Sequence, residues 1–148
     1  MALCLSLPLA LAHGADETSP WLVGSRPNAQ AQVAVRLLLD APSHGLDARD
    51  YGAQALQGAL DRALQGPAPA PQAAERFDQA LNAALQRYLR DLHDGRVAPA
   101  QMRHQYKPAP PRPAFDAAAA LRGALAMQDV TLAVRQAAPA LAQYERLR

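Results

Sequence analysis

Large apolar residues recur along this chain at helical intervals, and almost nowhere at alternating ones. The longest series is Phe77, Leu81, Leu85, Tyr88, Leu89 and Leu92, spaced i, i+4, i+8, i+11, i+12 and i+15. That spacing keeps one continuous apolar face on a helix and predicts one over 72–94. Each large side chain it buries is worth about 1.5–3 kcal/mol, so this face is expected to be the central support of the fold. Gly95 is placed to end the helix, since glycine tolerates the positive φ that often follows a last turn.

Shorter series flank it. Val33, Leu37 and Leu38, with Val35 and Leu39 beside them, predict a helix ending near Asp40, because Ala41 precedes Pro42. Residues 43–47 read as a turn, with Gly45 suited to positive φ and Asp47 a good N-cap. Tyr51, Ala55, Leu56, Ala59, Leu60 and Leu64 mark the next helix, which Gly66 stops before an extended Pro67–Pro71 spacer. Pro99 can start a short helix carrying Met102 and Tyr106 inward. Asp116 can cap a helix with Leu121, Ala124 and Leu125 on its apolar face. Asp129 can cap another with Val130, Leu132, Ala133 and Val134, broken by Pro139. Leu141, Tyr144 and Leu147 form a last series. No alternation is long enough for a strand, and no internal repeat occurs. The expected fold is all-α, an irregular bundle of about six short helices with Pro-rich connecting loops.

Composition supports that reading. The chain has 148 residues, enough for one domain with a core, and 50% are hydrophobic. Alanine and leucine dominate and isoleucine is absent, which favours helix over strand. Thirteen prolines exclude an uninterrupted bundle of long helices. The net charge is +2, and arginines lie scattered along helical stretches, which favours a solvated surface over a nucleic-acid face. The lone tryptophan, Trp21, is expected to anchor the polar lead-in onto the core.

Residues 2–12 are apolar and uncharged, short for a membrane span but the right length for the apolar region of an export signal. Ala10-Leu11-Ala12 offers a small-x-small cleavage site, and Ala12-His13-Gly14 a second. No Lys or Arg precedes the run. The expected organisation is a signal-peptide-like segment over 1–14 and a helical domain over 20–148, exported to the periplasm, with no stable membrane span after removal of the signal.

Candidate chemistry is sparse. Cys4 is the sole cysteine and lies in the signal-like run, so no internal disulfide or CxxC motif exists. The serines fall at 6, 19, 25 and 43, and none sits in a Gly-x-Ser-x-Gly turn. No phosphate-binding glycine loop occurs. His44, His93 and His104 lack zinc-ligand spacing. His93 is expected to be a solvated residue at a helix C-terminus. No catalytic residue, cofactor or metal site is expected, and the chain as it stands is not expected to be an enzyme.

Specificity concentrates instead in the corner from Arg87 to Pro99, where a helix, a glycine stop and a proline restart carry packed charge. Tyr88, Asp91, Gly95, Arg96 and Pro99 are its candidate structural residues. Asp91 and Asp94 oppose the helix dipole, and Arg90 and Arg96 are expected to offset them. Arg96 either locks the corner by reaching back to helix carbonyls, Asp91 or Asp94, or contacts an anion or carboxylate of a partner.

These residues fall into a recognisable order: His44-Gly45-Leu46-Asp47-x-x-Asp50-Tyr51, Asp78-x-Ala80-Leu81, Tyr88-Leu89-x-Asp91-Leu92-x-x-Gly95-Arg96-Val97-x-Pro99, and Pro139-x-x-x-x-Tyr144-x-x-Leu147. The set resembles the N-terminal scaffold domain of large periplasmic L,D-transpeptidases, from about Trp21 to the C-terminus. The resemblance implies a helical scaffold that precedes a peptidoglycan-binding domain and a catalytic domain with a cysteine in a Ser-His-Gly-Cys type motif. Ser43-His44-Gly45 echoes that motif only superficially: Leu46 follows where the motif has cysteine, and the echo lies in the scaffold domain and not the catalytic one, so no catalytic role is transferred to it; without a nucleophile no acyl-enzyme forms. The implied role is a non-catalytic scaffold for peptidoglycan crosslinking and cell-wall biogenesis, partnered by peptidoglycan or a transpeptidase catalytic domain. The alternatives are a free-standing periplasmic module binding cell-wall polymer or a partner protein, and an inert fragment of a split transpeptidase gene.

Overall fold

The computed structural model describes residues 19–95 and 114–139. In chain order they form a hairpin of β1 (Leu22–Val23) and β2 (Arg26–Pro27), then α1 (Ala29–Leu39), α2 (Ala53–Gln65), α3 (Pro71–Asp94), α4 (Ala117–Ala126) and α5 (Thr131–Ala137). Short 3-10 turns at Ala41–His44 and Ala48–Tyr51 join α1 to α2. The expectation of a mostly helical fold holds, with two differences. The described residues hold five α-helices rather than about six, and one of them, α3, is 24 residues long. They also hold an antiparallel two-stranded sheet, which pairs Leu22 with Pro27 and Val23 with Arg26. Strands of two residues are too short to show alternation, so pattern could not reveal them. The expected helices at Pro99–Tyr106 and Leu141–Leu147 lie outside the described residues.

α3 is the axis of the molecule and packs against α1, α2, α4 and α5. Its buried residues are Ala74, Phe77, Leu81, Leu85, Tyr88, Leu89 and Leu92, the expected face extended one step toward the N-terminus. Pro71 opens the helix at the position where a missing N–H costs nothing. The lead-in is more ordered than its polarity suggests. Asn28 caps α1 by accepting from the Ala31 N–H at 2.9 Å, and its amide donates to the Pro20 carbonyl at 2.8 Å. The Asn28 N–H donates to the carbonyl of Trp21 at 2.9 Å. The indole this collar holds is fully buried, as expected of an anchor.

The face expected for α2 is partly rotated. Ala53, Leu56, Leu60 and Ala63 are buried, whereas Ala55 is exposed and Leu64 is 40% exposed. Tyr51 precedes the helix, in the second 3-10 turn, and the left-handed Gly52 (φ 61°) resets the phase between them. Asp47 caps that 3-10 turn and not α2, accepting from the Arg49 N–H at 2.9 Å. The same carboxylate bonds the Arg49 guanidinium and raises its pKa above the ordinary value. Arg26 reaches across from the hairpin to the end of α2, donating to the carbonyls of Ala63 at 2.9 Å and Gly66 at 3.2 Å. Carbonyls that lack a partner within the helix are thereby satisfied by a cation.

Asp116 caps α4 through the Ala119 N–H at 2.9 Å. Asp129 accepts from the Thr131 N–H at 3.1 Å and from Arg135 at 2.7 Å. Its hydrogen bond from the Thr131 hydroxyl, then that from Arg135, hold its carboxyl below the usual range. The α4–α5 turn is pinned from far away. Gln30 of α1 donates to the Gln128 carbonyl and accepts from the Val130 N–H at 3.0 Å.

Gly95 ends α3, as its place after the apolar series predicts, with φ 78° and ψ 162°. That is the extended, positive-φ region open in practice to glycine alone, and not the left-handed region of a common helix cap. Gly95→Ala is expected to destabilise the protein by about 1–3 kcal/mol, read as a lower urea midpoint at unchanged m-value. A midpoint equal to that of the parent would show that the strain is relieved by rearrangement.

Candidate functional site

The residues that carry the family resemblance converge. His44 and Tyr51 close the two 3-10 turns that follow α1, and Tyr88 and Asp91 lie on the last turns of α3. The Tyr51 and Tyr88 rings meet edge to face at 5.4 Å and 78°. His44 meets Tyr88 in the same way at 6.2 Å and 79°. The Tyr51 hydroxyl donates to Asp91 Oδ2 at 2.9 Å, and Arg87 donates to the Asp50 carbonyl at 3.2 Å. Tyr88 is fully buried and Tyr51 is 4% exposed.

This arrangement changes the account of Asp91. A carboxylate near a helix C-terminus is unfavourable by the dipole alone. Here a phenol from 40 residues away compensates it. Arg90 instead directs its Nε–H to the Gln86 carbonyl at 3.2 Å. Arg96 and Pro99, two of the five corner residues, lie outside the described residues, as does His104. Tyr51 is the member of the site that pattern assigned elsewhere. Its phenol, aligned with an apolar series, read as part of a helix face.

The Tyr51–Asp91 bond is a charge-assisted one at a half-buried carboxylate. Tyr51→Phe is expected to lower stability by about 1.5–3 kcal/mol, and Asp91→Asn by less, since an amide oxygen still accepts. A double-mutant cycle in urea checks this, and additive losses would show that the bond contributes nothing.

His93 departs from its expected place in solvent. Its side chain is 14% exposed and stacks on Phe115, 4.7 Å between centroids and 14° between planes, while Nδ1 lies 2.8 Å from Asp94. The stack joins the end of α3 to the residues entering α4. Asp78, another residue of the family pattern, accepts a hydrogen bond from the Ser19 hydroxyl and so ties α3 to the lead-in. Among the described residues, no group of three or more His, Cys, Asp or Glu could hold a metal ion. None of their helices is long and apolar enough to cross a membrane.

A second feature has the geometry of a binding surface. α2, α3 and their connecting loop bound an open groove of about 1060 Å³ that reaches the hairpin. Leu56 and Phe77 form its apolar floor, and Ala55, Ala59, Ala73 and Ala80 line its walls. Of the charged residues only Arg62 and Arg76 line it, and both are exposed. Among the described residues neither forms an ion pair. Glu75 and Asp78, on the same turns of α3 as Arg76, border a different, more polar depression beside Ser19 and Pro20. On α3, Arg76 thus lines the apolar groove, and Glu75 and Asp78 line the depression that adjoins it at Leu22, Ser25 and Ala74.

Comparison with known families finds that the model described as "Scaffold domain" matches residues 15–148. Comparison with curated proteins and with solved structures finds no match.

Proposed function

We propose, since this chain belongs to the Scaffold domain family, that it serves as a non-catalytic scaffold for peptidoglycan crosslinking of the L,D-transpeptidase type. The observation that carries this reading is the burial of the pattern residues. Tyr51, Tyr88 and Leu92 face the core, and Asp91 and Asp78 accept hydrogen bonds from distant parts of the same fold. Residues spent in this way hold a framework together; a substrate site needs them facing outward. Cys4, in the signal-like run, is the sole cysteine of this sequence, so the nucleophile would come from a separate catalytic domain, in cis or in trans. The support offered in such an arrangement is rigidity, a fixed helical platform on which a catalytic domain is held in orientation.

The apolar run over residues 2–12 supports export, and on this reading the domain works in the periplasm beside peptidoglycan. N-terminal sequencing of the protein recovered from cells is expected to begin at His13 or Ala15. An intact Met1 would count against export. The scaffold role is tested by mixing the purified chain with an L,D-transpeptidase catalytic domain and following crosslinking of tetrapeptide stems. The chain alone is expected to form no crosslink, and the mixture to form a complex with raised turnover. Failure of the two to associate at any concentration tested, by sedimentation, would overturn the role.

A further inference from the structure

We infer that the groove between α2 and α3 is a docking site for an amphipathic helix of a partner protein, one carrying carboxylates beside its apolar stripe. The inference concerns the partner's chemistry and does not depend on the transpeptidase association.

Three observations select this occupant. First, the groove is apolar and open, and its alanine walls leave room for another backbone to come close. Leu56 and Phe77 line it with only 7% of their surface still exposed, so the apolar area an incoming leucine or phenylalanine would cover is mainly that of the exposed Ala55, Ala73 and Ala80. Second, its two long sides, α2 and α3, are helices whose own backbone groups are paired along the helix, so an extended segment laid along them would find no partners there for its N–H and C=O groups. A helix satisfies its own backbone and presents a ridge to the trough. Third, the charge is one-sided. Arg62 and Arg76 line the groove, and no acidic side chain does. A partner with carboxylates flanking its stripe gains both contacts, and one with lysines meets repulsion at both. Residues 96–113 of this same chain carry three arginines and a lysine and no acid, so by charge they are poor occupants.

The test uses the full chain and a set of labelled synthetic helical peptides whose leucines recur at i, i+4 and i+7. Each is made once with flanking glutamates and once with flanking lysines, and fluorescence anisotropy reads the binding. Glutamate peptides are expected to bind about tenfold or more tightly than their lysine twins at low salt, the gap narrowing as salt rises. The double reversal Arg62→Glu with Arg76→Glu is expected to invert the preference, and it alters only exposed positions. Ala59→Phe, which fills the trough, is expected to abolish binding of both peptides. The exposed Ala80→Phe serves as a second blocking variant should the first perturb folding, which circular dichroism would report. Equal binding of the twins, no binding by any glutamate peptide, or binding that survives both blocking variants would overturn the inference. Self-association of the chain that either blocking variant removes would assign the groove to a second copy, and overturn it too.

Discussion

Tyr88→Ala is expected to cost about 3–5 kcal/mol, enough to unfold a domain of ordinary stability at moderate temperature. Tyr88 is among the largest fully buried side chains and lies where α3 meets the two 3-10 turns. Its ring takes an edge contact from Tyr51 on one side and from His44 on another. Removing it leaves a cavity whose walls belong to separate elements, and a wall that is itself a packed helix collapses poorly. The loss is expected to exceed that of Tyr51→Phe, which removes one hydrogen bond and leaves the ring contact in place. Urea unfolding followed by circular dichroism measures both. A Tyr88→Ala variant that unfolds within about 1 kcal/mol of the parent would show that the corner is loosely packed and that the buried ring is not its keystone.

Trp21→Ala is expected to be equally severe, at about 3–5 kcal/mol, for a different reason. The indole is fully buried, yet it lies outside every helix, on the lead-in held by Asn28 and Ser19. Losing it removes a large side chain and releases the collar that starts α1. Trp21→Phe should recover much of the loss. The indole Nε1 has no hydrogen-bond partner among the described residues, so phenylalanine sacrifices area and no hydrogen bond. Because Trp21 is the one tryptophan, its emission reports the same event in the parent protein. It should be blue-shifted when folded and move to the red in one step with the circular dichroism signal. Emission already red in the folded protein would contradict the burial on which this prediction rests.

The helices were legible in the chain because their information is local. The series from Phe77 to Leu92 repeats at the helical period, Pro71 and Gly95 bracket it, and Asp116 caps the helix that follows it. Each signal acts within a few residues, so it survives without knowledge of neighbours. The α1–α2 connection shows where this stops. Tyr51 continues an apolar series with Ala55 in register, yet the positive φ at Gly52 breaks the phase and sends the ring toward α3. A glycine permits that turn without demanding it, so only packing decides. The α2–α3 groove was illegible for a related reason. Ala55, Ala59, Ala73 and Ala80 read as helix formers, and nothing local tells whether such a face is covered or open.

The sequence by itself therefore determined the helical class, the position of α3 as the central element, its glycine end, and the family to which the pattern belongs. Those follow from periodicity, backbone permission and short-range capping, which act between near neighbours. Tertiary structure alone decided that Tyr51 compensates Asp91, that Gln30 pins a turn 100 residues away, that His93 stacks on Phe115, and that Arg62 and Arg76 share one groove. Each depends on how separate helices sit against one another. That arrangement minimises exposed apolar surface over the whole chain at once, and no stretch of residues encodes it alone.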